Sequence, residues 1–91
     1  MNYTTSEFYC TQCGKKGIPI IRKDSRNRES GHLKKLYCLT CGQETNHVEC
    51  KIFSRYTHNE FLIEFNNHNF TSEGNRIEPN WKLFIKRQEE K

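Results

Sequence analysis

Two cysteine pairs with identical spacing are the residues of this sequence best suited to chemistry. Two residues separate Cys10 from Cys13 and Cys38 from Cys41, and 24 residues separate the two pairs. Two residues between thiolates allow both sulfurs of a pair to contact one ion, and a second pair completes a tetrahedron. The spacing therefore predicts one metal site with four sulfur ligands. Because such a site has no open position for water or substrate, we expect the ion to be structural.

The composition indicates that the chain needs such a site to fold. Leu, Ile, Val and Phe together account for 19 of the 91 residues, and the mean hydropathy is -0.99. A small domain with so little apolar material usually requires a disulfide or metal staple. Gly14 and Gly42 follow the second cysteine of each pair, where a turn that aims N–H groups at sulfur needs a residue tolerant of positive φ.

The segments Cys10-Thr-Gln-Cys13-Gly14 and Cys38-Leu-Thr-Cys41-Gly42 resemble the paired knuckles of zinc ribbons and rubredoxins. The resemblance covers about 40 residues and concerns the site, not the function. Rubredoxins carry iron for electron transfer and are typically acidic, whereas this region is basic, which favours Zn²⁺. The whole chain also resembles short uncharacterised zinc-ribbon proteins of phages and prophages of low-GC bacteria. That resemblance implies a host-cytoplasmic setting and no known activity.

The pattern of apolar residues predicts a small, metal-stapled α+β protein. We expect a zinc ribbon of short antiparallel strands over residues 1–53, with strands at 18–21, 32–37 and 43–51, followed by a helical segment over 54–91 that packs on it. Thr57 and Glu60 form a possible capping box for a helix at 58–66, although the alternation at Phe61, Ile63 and Phe65 would also suit a strand. A second helix is predicted with Pro79 at its first position. Its apolar stripe is Trp81, Phe84, Ile85 and Gln88.

The positive charge is concentrated in the first half of the chain. Residues 1–51 contain nine Lys and Arg against five Asp and Glu, while residues 52–91 contain six of each. Four thiolates on a dication contribute about two negative charges, which lowers the net charge of +4 to about +2. We predict a basic loop over 22–35 that binds nucleic acid, or a protein complex bound to nucleic acid. The candidate contact residues are Arg22, Lys23, Arg26, Arg28, Lys34 and Lys35.

Three other functions are weighed against this non-enzymatic one. His-Asn-His nucleases share a similar frame of cysteine pairs, but the strand after Cys13 ends without their catalytic histidine, and His32 is the only histidine between the pairs. A rubredoxin-like electron carrier is the second. The third is a phage-type adaptor that binds a host protein through the C-terminal aromatic side chains, which are more typical of a core: Phe61, Phe65, Phe70, Trp81 and Phe84.

The remaining cysteine and histidines predict no further site. Cys50 is expected to be a small buried residue on a strand, and His47 three positions earlier has no partner pair. His58 and His68 are expected at the surface or at helix ends. No catalytic triad, phosphate-binding glycine loop or small-molecule site is apparent. The sequence shows no leader or membrane-spanning segment, so we expect a reducing cytoplasm, where paired cysteines hold metal.

Overall fold

The computed structural model describes residues 3–23, 30–51 and 54–89, and the side chains within 5–21, 30–51 and 54–88. Four strands form one antiparallel sheet: β1 (Tyr3–Cys10), β2 (Ile20–Lys23), β3 (Leu33–Cys38) and β4 (Gln43–Cys50). Two helices follow, α1 (His58–Asn66) and α2 (Trp81–Glu89). The predicted α+β class and the predicted order of strands before helices are confirmed. The division of the chain at residue 53 stays a prediction.

The order of the strands across the sheet is β2-β1-β4-β3. The last strand in sequence, β4, therefore lies between β1 and β3 and pairs with both: His47 is opposite Cys10 on one side and opposite Lys34 on the other. Because β4 runs antiparallel to both neighbours, β1 and β3 point in the same direction. The turns that follow β1 and β3 consequently lie at the same end of the sheet.

After the first cysteine pair, the chain runs back beside β1 and pairs with it in two places, which Pro19 separates. First, Gly17 donates its N–H to the Phe8 carbonyl at 2.7 Å, next to a bridge between Tyr9 and Lys16. Pro19, which has no N–H to donate, then interrupts the ladder directly before β2 begins. The sequence predicted a strand from residue 18, with proline at an edge or at its beginning, and the structure places that strand at the edge of the sheet and two residues later.

Both helices begin at residues that cap them. The predicted capping box is present, since Thr57 donates its N–H to Glu60 Oε1 at 3.4 Å. The segment is a helix and not the strand that the alternation of apolar residues would also suit. The expectation for Pro79 is wrong, because α2 begins at Trp81. Asn80 occupies the capping position instead, with its side-chain oxygen 3.5 Å from the Leu83 N–H and its carbonyl accepting from Phe84.

The helices cover one face of the sheet. The core on that face consists of Tyr9, Val48, Cys50, Tyr56, Phe61 and Ile85. The five aromatic residues expected in a core lie there: Phe61 is fully buried, and the other four are partly buried against it. The predicted stripe on α2 is confirmed, since Ile85 is buried and Trp81 and Phe84 are half-buried.

The face of the sheet opposite the helices also has buried residues, although neither α1 nor α2 covers it. Phe8 and His47 on this face are fully buried. The sheet is curled, so that residues 16–19 beside one edge and residues 37–40 beside the other line a common groove. Glycine at position 17 allows the chain to pack closely against this face, because a Cβ there would lie 3.1 Å from the His47 ring.

A buried ion pair lies within the C-terminal segment, and its arginine also contacts Gly31 beside the sheet. Arg76 donates two hydrogen bonds, each 2.8 Å long, to the two carboxylate oxygens of Glu64 on α1. It donates a third, at 2.7 Å, to the carbonyl of Gly31 just before β3. The Tyr56 hydroxyl, at 2.6 Å, and the Asn69 amide also donate to Glu64. Four of these five hydrogen bonds converge on one carboxylate that has no exposed surface.

Candidate metal centre

The two turns at one end of the sheet bring four sulfur atoms together. Cys10 and Cys38 are the last residues of β1 and β3, and Cys13 and Cys41 lie in the turns that follow. The Sγ atoms of Cys10 and Cys41 are 3.8 Å apart, those of Cys13 and Cys38 are 3.6 Å apart, and all four lie within 4.8 Å of one another. The predicted cluster of four ligands is therefore present.

These separations fit a tetrahedral metal ion. A metal–sulfur bond of about 2.3 Å requires sulfur atoms about 3.8 Å apart along each edge of a regular tetrahedron. Two of the separations, 3.6 and 3.8 Å, agree with that edge. None of the cysteines is in a disulfide, so all four can ligate. Across the parts of the chain that the structure describes, this is the one group of three or more His, Cys, Asp or Glu residues arranged for a metal.

The backbone of each turn is folded around a sulfur atom. The N–H groups of Gln12 and Cys13 point to Cys10 Sγ at 3.4 and 3.5 Å, and the Cys41 N–H points to Cys38 Sγ at 3.4 Å. Each turn then closes at a glycine with positive φ, Gly14 at 77° and Gly42 at 72°. Donors of this kind stabilise negative sulfur, so the turns are suited to thiolate ligands.

Residues outside the turns hold the cluster in place. The Thr45 hydroxyl, buried on β4, lies 3.0 Å from Cys10 Sγ and can donate to it as a thiolate. Thr11 is buried, and its hydroxyl donates to the carbonyl of Gly74, between α1 and α2, at 2.9 Å. Gly14 is in close contact with α1, because a Cβ there would lie 3.0 Å from the Phe65 ring. The first turn is thus fixed to both the sheet and the helical segment.

Without a cation, raised pKa values disfavour ionisation of Cys13 and Cys41. Burial and then the neighbouring thiols raise the pKa of Cys41 to about 12, and burial is also the main cause that raises the pKa of Cys13. Burial acts in the same direction on Cys38, but the Cys41 N–H and the adjacent thiols outweigh it and lower the pKa of Cys38 to about 7. Charges of the same sign this close oppose one another, so full ionisation requires a bound cation.

His47 and Cys50 do not form a second site. They lie three positions apart on β4 and therefore point to opposite faces of the sheet. His47 donates from Nδ1 to the Thr45 carbonyl at 2.9 Å, and burial lowers its pKa, which keeps the ring neutral. Cys50 is buried in the core, as expected from the sequence, and burial raises its pKa to about 12.

His58 and His68 confirm the expectation of surface or helix-end positions. His58 is exposed at the first position of α1 and stacks on Tyr9 with ring centroids 4.3 Å apart. His68 is exposed just after α1 and has a φ of 60°, the left-handed conformation that commonly ends a helix. His32 lies beside the sheet, where its Nε2 is 3.0 Å from an oxygen of the buried Glu49 carboxylate.

The predicted basic residues do not all lie in a loop. Arg22 and Lys23 belong to β2, and Lys34 and Lys35 belong to β3, the two opposite edge strands. The expectation of a loop over the whole of 22–35 is wrong in this respect, because strand pairing extends into both ends of that range. Lys34 is half-buried and Lys35 is exposed. Two further candidates lie outside the described residues: Arg26 and Arg28.

Two features of the structure could not be predicted from the sequence. Thr45 follows Cys41 by four residues, and only its register on β4 places it beside Cys10. The groove between residues 16–19 and 37–40 depends on the curl of the sheet, which no local pattern encodes. Exposed apolar residues can be found by hydropathy, but their proximity across the sheet cannot.

Comparison of the chain with protein-family models, with curated proteins and with solved structures finds no match. Within the described residues, no helix is both long enough and apolar enough to cross a bilayer.

Proposed function

We propose that the chain is a non-enzymatic zinc-ribbon protein whose four cysteines hold one structural Zn²⁺ in the cytoplasm. The observation that carries the proposal is the all-sulfur cluster with its 3.6 and 3.8 Å separations. Sulfur-only tetrahedral sites suit zinc or iron, and a basic chain favours zinc over a rubredoxin-like iron site. Four reduced thiols persist in a reducing compartment, which supports the cytoplasmic assignment.

Metal analysis of protein purified from cells tests this first part. We expect one zinc per chain by native mass spectrometry, and a colourless protein. The control is the double variant Cys13→Ser/Cys41→Ser, which keeps one cysteine of each pair and should lose the metal. A protein that carries iron and shows a reversible redox signal would refute the zinc assignment in favour of an electron carrier. A protein free of metal in every preparation would refute the site.

We further propose that this module binds nucleic acid, alone or as part of a protein complex on nucleic acid, and takes no small-molecule substrate. The support is electrostatic. All of the excess positive charge lies in residues 1–51, and the sequence from 22 to 35 contains six candidate cations but only two acidic residues. Lysine and arginine that contact phosphates release counterions, which supplies most sequence-independent affinity for nucleic acid. Within this range, Lys35 is exposed on the edge strand β3, where it can reach a phosphate backbone.

Fluorescence anisotropy with labelled DNA and RNA tests the second part. For a duplex, we expect the logarithm of the affinity to fall with the logarithm of salt concentration by about 0.9 per phosphate contacted. Lys35→Gln should lower this slope by about one contact. Its matched control is Lys86→Gln, which removes an exposed charge from α2 and should leave the slope unchanged. Absence of binding at about 50 mM salt, or equal effects of the two variants, would refute the proposal.

A further inference from the structure

The two cysteine turns have the same spacing in the sequence, but the rest of the protein holds them differently. In the first turn, residues 10–14, Thr11 is 3% exposed and donates its hydroxyl to the carbonyl of Gly74 at 2.9 Å. In the second turn, residues 38–42, the equivalent position is Leu39, which is 78% exposed. The first turn is therefore fixed to the segment between the helices, and the second turn extends into solvent.

The glycines that close the two turns show the same difference. A Cβ at Gly14 would lie 3.0 Å from the Phe65 ring, so the first turn packs closely against α1. A Cβ at Gly42 would meet no atom within 4 Å. Segments with few packing contacts open at a low free-energy cost, so we expect the second turn to open more readily than the first.

The hydrogen bonds to the sulfur atoms are also unequal. Cys10 is fully buried, and two N–H groups of its own turn and the Thr45 hydroxyl lie 3.0 to 3.5 Å from its Sγ. Cys38 is buried and receives the Cys41 N–H at 3.4 Å. Within the described residues, no N–H or O–H group donates to the Sγ of Cys41, which is partly exposed. Fewer donors leave more negative charge on a thiolate, which makes it a stronger nucleophile.

Cys13 is the ligand most similar to Cys41, because it is also partly exposed. It differs in two respects: the Lys15 N–H donates to it, and its turn is packed against Phe65. Of the four ligands, Cys41 alone combines partial exposure, a sulfur without an N–H or O–H donor and a turn with few contacts.

We propose that Cys41 is the site at which thiol-reactive electrophiles modify the metal-loaded protein, and that this modification releases the ion. The inference rests on the proposed zinc site and assigns its reactive ligand. A metal-bound cysteine is a thiolate and therefore a nucleophile. With an alkyl halide such as iodoacetamide, a sulfur lone pair forms the S–C bond, the C–I bond breaks and iodide leaves, with no proton transferred. The product is a neutral thioether, which lacks the negative charge that attracts a dication.

The test treats zinc-loaded protein with less than one equivalent of iodoacetamide and locates the label by tandem mass spectrometry. We expect Cys41 to react about 2-fold to 10-fold faster than Cys13, the range that corresponds to one hydrogen bond. The buried Cys10 and Cys38 should react more slowly than both. A chromophoric chelator should detect one zinc released for each Cys41 labelled, at a rate proportional to the iodoacetamide concentration.

Two variants at equivalent positions test the role of the turns. Thr11→Val removes the hydroxyl that fixes the first turn and should raise the rate at Cys13 by about 2-fold to 10-fold, while the rate at Cys41 is unchanged. Leu39→Ala is the matched control in the second turn and should change neither rate, because its side chain is largely exposed. Equal effects of the two variants on Cys13 would overturn the assignment of the first turn as the protected one.

The buried Cys50 is an internal control, because it is not a metal ligand and should stay unlabelled while the fold is intact. Labelling of Cys50 together with Cys41 would mean that the reaction follows unfolding. Zinc release at a rate independent of iodoacetamide would mean that the ion leaves before the attack. Either result, or first labelling at Cys13, would overturn the inference and leave the zinc site standing. A protein purified without zinc would overturn both.

Discussion

Replacing Arg76 with methionine removes the cation of the buried pair and keeps a side chain of similar length. The side chain of Glu64 has no exposed surface, and that of Arg76 is 9% exposed. In the variant, the carboxylate keeps the Tyr56 hydroxyl and the Asn69 amide but loses two charged hydrogen bonds. Leaving a buried charge uncompensated costs about 3–5 kcal/mol. We therefore expect Arg76→Met to lose a large part of the roughly 5–15 kcal/mol typical of a small domain.

A second Arg–Glu pair provides the matched control. Arg87 Nη2 lies 3.3 Å from Glu78 Oε2, but these side chains are 62% and 38% exposed. Exposed pairs contribute about 0–1 kcal/mol, so Arg87→Met should have little effect. The double variant Arg76→Met/Glu64→Leu removes the uncompensated charge and should be more stable than Arg76→Met alone.

Urea unfolding of the metal-loaded protein measures these differences. The single tryptophan, Trp81, packs edge-on against Tyr56 with ring centroids 4.8 Å apart, so its fluorescence reports on the region of the pair. Far-UV circular dichroism follows the sheet and helices independently. If Arg76→Met cost no more than Arg87→Met, the conclusion that this buried pair stabilises the fold would be wrong.

Three further predictions concern the metal site. Chelation should unfold the sheet, because an apparent zinc-binding free energy of about 10–16 kcal/mol is as large as the whole stability of a small domain; retention of the far-UV spectrum would contradict this. Zinc affinity should fall about 100-fold from pH 7 to pH 6 in competition with a chromophoric chelator. The raised pKa values of Cys13 and Cys41 keep both protonated there, so binding releases at least two protons; a pH-independent affinity would count against thiolate ligation. Thermal unfolding should show that Gly42→Ala costs about 1 kcal/mol through left-handed strain alone, and that Gly14→Ala costs more, since its Cβ would also meet Phe65; the reverse order would argue against the packing of that turn.

The sequence predicts the metal ligands because their geometry is local. The two-residue spacing within each pair and the glycine after it specify the turn, and the four sulfurs meet as expected. The capping box at Thr57 and Glu60 also identifies the start of α1, where apolar periodicity alone was ambiguous. Local patterns of this kind can be recognised in a single sequence.

Features that depend on contacts between distant parts of the chain were not predictable. Glu64 and Arg76 are 12 positions apart, and their pairing follows no helical or strand period. The groove beside Tyr37 and Leu39 requires the two edges of the sheet to approach each other. Pro79 shows a different difficulty: proline at the first helical position and Asn80 as the cap are both favourable, and the structure uses Asn80.

The central place of β4 makes the order of synthesis matter. A nascent chain that ends at Gly42 already contains every metal ligand, yet it lacks the strand that holds the two hairpin turns side by side. Until residues 43–50 leave the ribosome, no strand holds the two pairs side by side, so binding one ion with all four sulfurs requires closing the 24-residue loop between them at an entropic cost. We therefore expect the affinity of the four cysteines for a metal ion to rise once β4 has paired with β1 and β3.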